Sequence, residues 1–284
     1  MELVRGEFLP ATLRGFYTGA MKKSWRLFSK REVTCAIPDA GAMTLRPWEY
    51  IEARLFFYRI WEPEITRFIE ANTRSGDVVI DIGANIGYYT LLMGRKVSPS
   101  GKVYAAEPSP SIRERLEHNI RINQLQNVTV LPYGISNKTE ERYLQLSSTD
   151  NSGESRFVDN PEEKNLEGCL PLRRLVDLVP AEDLARTSLI KIDVEGMEYE
   201  VIEDLLDNID LFPAKIAICA EVRRFGDTAQ RVDAQIERFR KAGFVLYRFD
   251  NRYLHSDYAK QNSQPPEMVD ALGEGQHDVA FVRG

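Results

Sequence analysis

The apolar positions fall into two rhythms along the chain. From Gly76 onward, short and nearly continuous apolar runs read "DVVIDI", "KVYAAE", "VTVLPYG", "LIKIDV", "KIAICAEV", "FVLYRF" and "DVAFVR". Between them lie segments of helical period: "IGYYTLLMGRKV", "SIRERLEHNIRIN", "EGMEYEVIEDLL" and "TAQRVDAQIERFRKAG". A run that is apolar throughout, rather than at every second residue, belongs to a strand covered on both faces. Strands alternating with helices of this length predict an α/β fold with a mostly parallel sheet and helices on each side. The last two runs have no full helix between them, so "HDVAFVR" is expected to enter the sheet antiparallel.

Ahead of Gly76 the pattern changes. Residues 10–29 read as a helix, "EVTCAI" as a short extended piece and "PDAGA" as a turn. Pro47 is placed to open a second helix, "PWEYIEARLFFYRI", and Pro63 a third, "PEITRFIEANT". The division expected is an N-terminal helical cap over residues 1–61 and a cofactor-binding domain over 62–284. Residues 147–168 are polar and turn-rich, and a loop of that length is usually functional or disordered.

Composition narrows the class. With 43% apolar and 28% charged residues, the 284-residue chain suits a globular enzyme rather than a disordered or fibrous protein. Three widely spaced cysteines, Cys35, Cys169 and Cys219, argue against a disulfide framework or zinc cluster and favour a reducing cytoplasm. No apolar run approaches the roughly 18 residues of a membrane span, and no signal-peptide core is evident. The net charge of -6 conceals an asymmetry: residues 1–31 carry +5 and the remainder -11. A basic first helix reads first as a solvated face and second as a patch for a membrane surface or acidic partner. The acidic body makes a nucleic-acid partner unexpected. A homodimer is compatible with everything read so far.

The chemistry begins at "VIDIGANIGYY", Val79–Tyr89, where an apolar strand meets a small-residue turn. A triphosphate loop needs G-x-x-x-x-G-K-[ST], and both spacing and lysine are missing. A dinucleotide turn needs G-x-G-x-x-G, but Asn85 stands where the central glycine would admit a pyrophosphate. Asp81 would also repel that pyrophosphate. An acid beside the turn suits a ligand with an ammonium and no phosphate, such as S-adenosylmethionine (SAM), whose carboxylate could take backbone amides at the turn and helix start. Glu107, 24 residues after Gly83, ends the next strand where an acid can accept from both ribose hydroxyls. Pro108, Ser109 and Ser111 then open a helix. Competing readings are a nicotinamide-dependent oxidoreductase, a non-catalytic SAM-binding module and a nucleic-acid methylase.

These segments resemble the FkbM-type SAM-dependent methyltransferases. The resemblance runs from about residue 48 to the end. It rests on "EYIEARLFFYRIWEPEITRFI", "GDVVIDIGANIGYYTLL", "GKVYAAEPSPSIRERLEHNI", "NVTVLPYGISN" and "SLIKIDVEGMEYEVI". It implies a Rossmann-like methyltransferase fold and methyl transfer to a hydroxyl oxygen of a natural product or sugar, a small-molecule or glycan acceptor. The cofactor set expected is Asp81, Gly83, Asn85, Gly87, Tyr88, Glu107, Pro108, Gly134 and Asp193.

A hydroxyl is a poor nucleophile near neutral pH, so a general base is expected beyond the carboxyl ends of the strands. That selects Asp193 and Glu195 after "LIKI" and Glu221 after "KIAICA", with Asp193 foremost. A helix-start acid pair and an ion pair of Glu221 with Arg223 or Arg224 are the plainer readings. Acids at adjacent strand ends also suggest Mg²⁺ as an alternative, but no further oxygen ligand is evident and no metal is expected. His118 and His277 read as structural, while His255 in "YLHSDY" is a weak candidate. Tyr58, Trp61 and Glu62, just ahead of the core, are expected to form a lid that excludes water.

Overall fold

The computed structural model describes residues 11–28, 31–147, 155–160, 164–254, 257–258 and 264–284. The chain opens with α1 (Ala11–Phe28), the hairpin β1 (Val33–Ile37) and β2 (Gly41–Leu45), and helices α2 (Tyr50–Tyr58) and α3 (Pro63–Asn72). Pro63 stands at the first turn of α3, where its missing N–H costs nothing. α2 starts at Tyr50, three residues after Pro47, and Glu52 in its first turn is buried, bound by Arg115 (2.7 Å) and by the Arg46 amide (2.5 Å).

The alternating part follows as β3 (Val78–Ile82), α4 (Tyr88–Val97), β4 (Lys102–Ala106), α5 (Pro110–Ile122) and β5 (Val128–Leu131). An insertion supplies β6 (Gly134–Ile135), β7 (Glu140–Gln145), β8 (Arg156–Val158) and β9 (Leu166–Arg173), then the short helices α6 (Leu175–Leu178) and α7 (Ala181–Leu184). β10 (Thr187–Ile192), α8 (Glu198–Asp207), β11 (Ile216–Arg224), α9 (Gly226–Lys241), β12 (Val245–Arg248), β13 (Glu267–Met268) and β14 (Gly275–Arg283) complete the order.

Eight strands form the main sheet in the order β13-β12-β14-β11-β10-β3-β4-β5. β11, β10, β3, β4 and β5 are mutually parallel, while β14 lies antiparallel between β11 and β12, as the missing helix implied. The chain leaves β3 toward β4 and β5, then returns to its other side with β10. This reversal opens a crevice at the carboxyl ends of β3 and β10, the usual ligand position in such sheets.

The insertion departs from expectation. β6, β9, β7 and β8 make a second, four-stranded sheet, and β8 with the start of β9 lies inside the stretch read as a loop. Its strands are "EERYLQ", "RFV" and "LEGCLPLR", half-exposed and rich in charge, so the alternation that marks a strand was too weak to read. Residues 148–154 and 161–163 of that stretch lie outside the described residues.

Apolar residues gather on the two faces of the main sheet. One cluster joins Val79, Ala105 and Cys219 to Leu91 of α4, Leu55, Phe56 and Phe57 of α2, and Ile37 and Met43 of the hairpin. The other joins Val78, Ile80 and Ile82 to Val201 of α8 and Ile236 and Phe239 of α9. The hairpin and α2 thus share one core with the strand that carries the glycine turn. Truncating Phe57, which is 1% exposed, to alanine is expected to cost about 3–5 kcal/mol. Urea unfolding followed by both tryptophan fluorescence and circular dichroism should show one transition moving as a unit; an early, separate transition would mean that the N-terminal segment folds by itself.

Candidate active site

The crevice opens into a cavity of about 1510 Å³ walled by the ends of β3, β4, β10 and β11, by the second sheet, and by Tyr50, Trp61 and Glu62. Its innermost element is the turn after β3. Gly83 has φ +83, and a Cβ there would sit 1.8 Å from the carbonyl oxygen of Asp193, so only glycine lets the two strand ends meet. Asn85 also adopts a left-handed conformation (φ 50) and caps its neighbour, accepting from the Ile86 amide at 2.8 Å.

The turn's amides are all engaged within the protein. Gly83 and Ala84 donate to Ala106, Asn85 to Glu107 (2.9 Å), Ile86 to Asn85, and Gly87 to Ala84. These bonds hold the turn's own shape. Glu107 ends β4 on the cavity wall, with its second oxygen accepting from the Ser109 amide at 3.0 Å. A carboxylate has about four acceptor positions, so two remain for ribose hydroxyls. Burial pushes the Glu107 carboxyl up to about 7, against the pull of the Ser109 and Asn85 amides. Ser109 caps α5, accepting from the Ile112 amide at 3.2 Å, and is itself tied to Glu167 of the second sheet (2.5 Å).

A buried ionic cluster lies beside the turn. Lys191 stands opposite Asp81 in the β10–β3 register, on the same face of the sheet, and donates to Asp193 at 2.9 Å. Its ammonium also lies 4.6 Å from the centre of the Tyr89 ring. Burial alone would lower the Lys191 pKa; Asp193, Asp81 and Glu62 outweigh it and hold the group well above the usual lysine value. Asp81 accepts from Thr90 at 2.6 Å, its other oxygen is buried without a hydrogen-bond partner, and burial raises its pKa. Glu62 accepts from Tyr89 (2.7 Å), Tyr253 (2.6 Å) and Asn251 (3.4 Å), and burial, then Asp193, raises its pKa.

The third group is acidic with a clamp. Arg223 of β11 pairs with Glu195 and, at 3.0 Å, with Glu221, which also accepts from Gln276 at 2.5 Å. Burial, then the charge of Asp193, lifts Glu221 to about 7. Behind it, Glu198 takes the Gly196 amide on both oxygens (3.1 and 3.0 Å), and burial pushes it up to about 8.

Of the residues singled out from the sequence, Gly83, Asn85, Glu107, Pro108, Gly134, Asp193, Glu195, Glu221, Trp61 and Glu62 line the one cavity. Asp81, Gly87, Tyr88 and Tyr58 do not. Asp81 is 1% exposed, beneath the wall beside Lys191. Gly87 packs where a Cβ would meet Leu116 at 2.5 Å. The Tyr88 hydroxyl pairs with Thr66 (3.2 Å) and the Tyr58 hydroxyl with Thr18 (3.1 Å), both inside the core. His118 meets Thr44 (3.0 Å) and His277 meets the Gly273 carbonyl (3.0 Å), away from the cavity. His255 lies outside the described residues. Among the described residues, no three His, Cys, Asp or Glu side chains gather as a metal site requires, and no helix is long and apolar enough to cross a membrane.

Sequence reasoning missed Lys191, Tyr89, Tyr253, Asn251 and Asp278. The lysine inside "LIKID" and the aspartate inside "HDVAFVR" were the available signals, each a charge within an apolar strand.

The strand order with its antiparallel β14, the Gly83 turn pressed against Asp193, and an acid ending β4 define a SAM-dependent methyltransferase. The profile described as "Methyltransferase FkbM domain" matches residues 81–246, and the chain belongs to that family. It is similar to the methyltransferase sdnD of Sordaria araneosa, 33% identical over 206 residues, 57% of this chain and 77% of that one. It is also similar to the AMB antimetabolite synthetase AmbE of Pseudomonas aeruginosa, 31% identical over 69% of this chain, which spans 11% of that protein. The hexuronic acid methyltransferase AglP of Haloferax volcanii is 26% identical over 51% of this chain and 56% of its own. Among solved structures, the FkbM methyltransferase of Methylobacillus flagellatus KT is similar at 14% identity, with a TM-score of 0.45 over 81% of this chain and 53% of that one. SAM is the cofactor, and the free acceptor positions of Glu107 beside the tight Gly83 turn fit it.

Two outcomes follow. Lys191→Met leaves the buried carboxyls of Asp81 and Glu62, and the partly exposed Asp193, without their cation and is expected to cost about 3–5 kcal/mol in chemical denaturation. Adding Asp81→Asn should recover part of that loss; no recovery would mean that Lys191 does not stabilise Asp81. The second concerns pH. A Glu107 carboxyl raised to about 7 is ionised above that pH and protonated below it. Ribose hydroxyls donate best to the ionised form, so affinity for S-adenosylhomocysteine should fall as pH drops below 7, by up to about tenfold per unit. Calorimetric titration from acid to mildly alkaline pH should show this slope in the native protein and a flatter one in Glu107→Gln.

Proposed function

We propose that this protein is an O-methyltransferase acting on a hydroxyl of a small, sugar-like acceptor. SAM supplies a methyl group activated on a sulfonium. Glu107 and the Gly83 turn fix one end of the cavity, which supports placing the cofactor there. The volume exceeds the roughly 300–1,000 Å³ of a single-ligand pocket, leaving room for an acceptor beside it. Arg156, Lys164 and Asn165 of the second sheet, with the rings of Tyr133 and Phe157, line the far wall. Polar groups alternating with flat apolar surfaces suit a molecule rich in hydroxyls. The relative named for hexuronic acid methylation favours the same acceptor class.

The observation that carries the reading is the placement of Asp193. It ends β10 in contact with the Gly83 turn, and its side chain is 40% exposed to the cavity, against 23% for Glu195 and 12% for Glu221. The other two are clamped by Arg223, whereas Asp193 is steadied from below by Lys191. In this reading Asp193 accepts the hydrogen bond of the acceptor hydroxyl, aligns its oxygen and takes its proton as the methyl group moves. Trp61, edge-on to Tyr50 (6.2 Å between ring centres) and tilted against Tyr253 (5.6 Å), closes the cavity on the cap side and keeps water from the reacting atoms.

A screen of hydroxylated metabolites, uronic acids and oligosaccharides for release of S-adenosylhomocysteine tests the proposal, with mass spectrometry locating the methyl on oxygen. On the substrate found, Asp193→Asn is expected to lower kcat by about 10²–10⁴-fold with little change in cofactor affinity. Full turnover in Asp193→Asn, together with loss of activity in Glu221→Gln and a rate profile rising through pH 7, would move the base to Glu221.

A further inference from the structure

The cofactor's amino-acid end carries an ammonium, and the turn acid first expected to face it, Asp81, is under the cavity wall and already shared by Thr90 and Lys191. Glu62 lines the cavity at this end, as does Asp193, whose carboxylate is already taken by Lys191. Glu62 borders the same space as Gly83, and the residue as a whole is 5% exposed. Its position is built from several directions. Tyr89 of α4 donates to one oxygen; Tyr253 and Asn251, from the segment after β12, donate to the other. Its backbone is held at φ 40 and ψ 74, a conformation a glutamate rarely adopts, immediately before Pro63.

Charge count points the same way. Lys191 answers Asp193, Asp81 and Glu62 together. Asp278 of β14 adds a further carboxyl, joined to Glu62 through Asn251, which donates to both at 3.0 and 3.4 Å. Three carboxyls thus share Lys191, and Asp278 stands behind them, next to Glu62. Burial and the neighbouring carboxyl of Glu62 hold Asp278 well above the usual carboxylate range, with Glu221 and Asp193 adding to the effect. Buried carboxyls in excess of their cations are stabilised by a cation that enters from the cavity. The donors on Glu62 fill three of its roughly four acceptor positions and leave one.

We infer that Glu62, rather than Asp81, receives the α-ammonium of SAM and of its demethylated product, with Tyr253 and Asn251 holding the carboxylate in place. This rests on the methyltransferase reading and assigns the amino-acid end of its cofactor site. The ammonium gains a charge-assisted hydrogen bond in a nearly dry position and offsets part of the cluster's negative excess. The specificity that follows is for the amino group itself.

Calorimetry with the full chain tests this with two ligands: S-adenosylhomocysteine, and its desamino analogue, in which hydrogen replaces the α-amino group and the carboxylate remains. In the native protein the desamino analogue should bind more weakly. Glu62→Gln should weaken S-adenosylhomocysteine by roughly 10- to 100-fold and leave the desamino analogue nearly unchanged. Equal loss of both ligands would reduce Glu62 to a structural role and overturn the assignment. So would a selective loss in Asp81→Asn with none in Glu62→Gln, or an effect of Glu62→Gln confined to the KM of an amine-bearing acceptor. Failure of the native protein to bind S-adenosylhomocysteine at all would instead overturn the methyltransferase reading.

Discussion

A lysine in the middle of a sheet sets the terms for this site. Lys191 cannot leave the interior, and an ammonium there is tolerable only among carboxylates that stay ionised beside it. Asp193, Asp81 and Glu62 come from β10, β3 and the start of α3, so one charge ties together three separate parts of the chain. The strand register places Asp81 directly alongside, and the left-handed backbone at Glu62 brings the third carboxyl in from the cap. Without Lys191 the acids around the cavity would face one another with no cation beside them; with it, Asp193 is held by an ammonium at the mouth of the sheet.

Much of the fold was legible because the main sheet is buried on both faces and its strands are almost wholly apolar. "VVIDI", "LIKID" and "KIAICAEV" announce themselves, and the missing helix before "HDVAFVR" foretold the antiparallel insertion. The second sheet was not legible. Its strands are half-exposed and charged, and they gain their order from pairing with β7 and from Phe157 and Leu172 packing over Gly134. No local pattern of residues reports such a partner.

The site was legible in the same proportion. Glycine turns and strand-end acids have fixed spacings, so Gly83, Glu107, Asp193 and Glu221 could be found by position. The partners that decide what each acid does are distant in sequence: Lys191 and Asp193 are 110 and 112 residues from Asp81, and Tyr253 is 191 residues from Glu62. Asp81 shows the difference most plainly. It stands beside the turn, but side-chain direction along β3 turns it to the face shared with Lys191 and away from the cavity lining.

The near-contact of Gly83 with the Asp193 carbonyl has a consequence for how such an enzyme can change. The turn and the strand end that carries Asp193 are welded at a point where not even a methyl group fits, so neither can be remodelled without disturbing the other. The second sheet has its own close approach, at Gly134, where a Cβ would meet Leu172 at 2.3 Å, but none against the Gly83 turn. It reaches the other half through Glu167 on the Ser109 cap and through Arg142 beside Met197. The molecule is therefore divided like a tool with a fixed handle and an exchangeable bit: selection for a new acceptor can act on β7, β8 and β9 while the transfer chemistry is inherited intact.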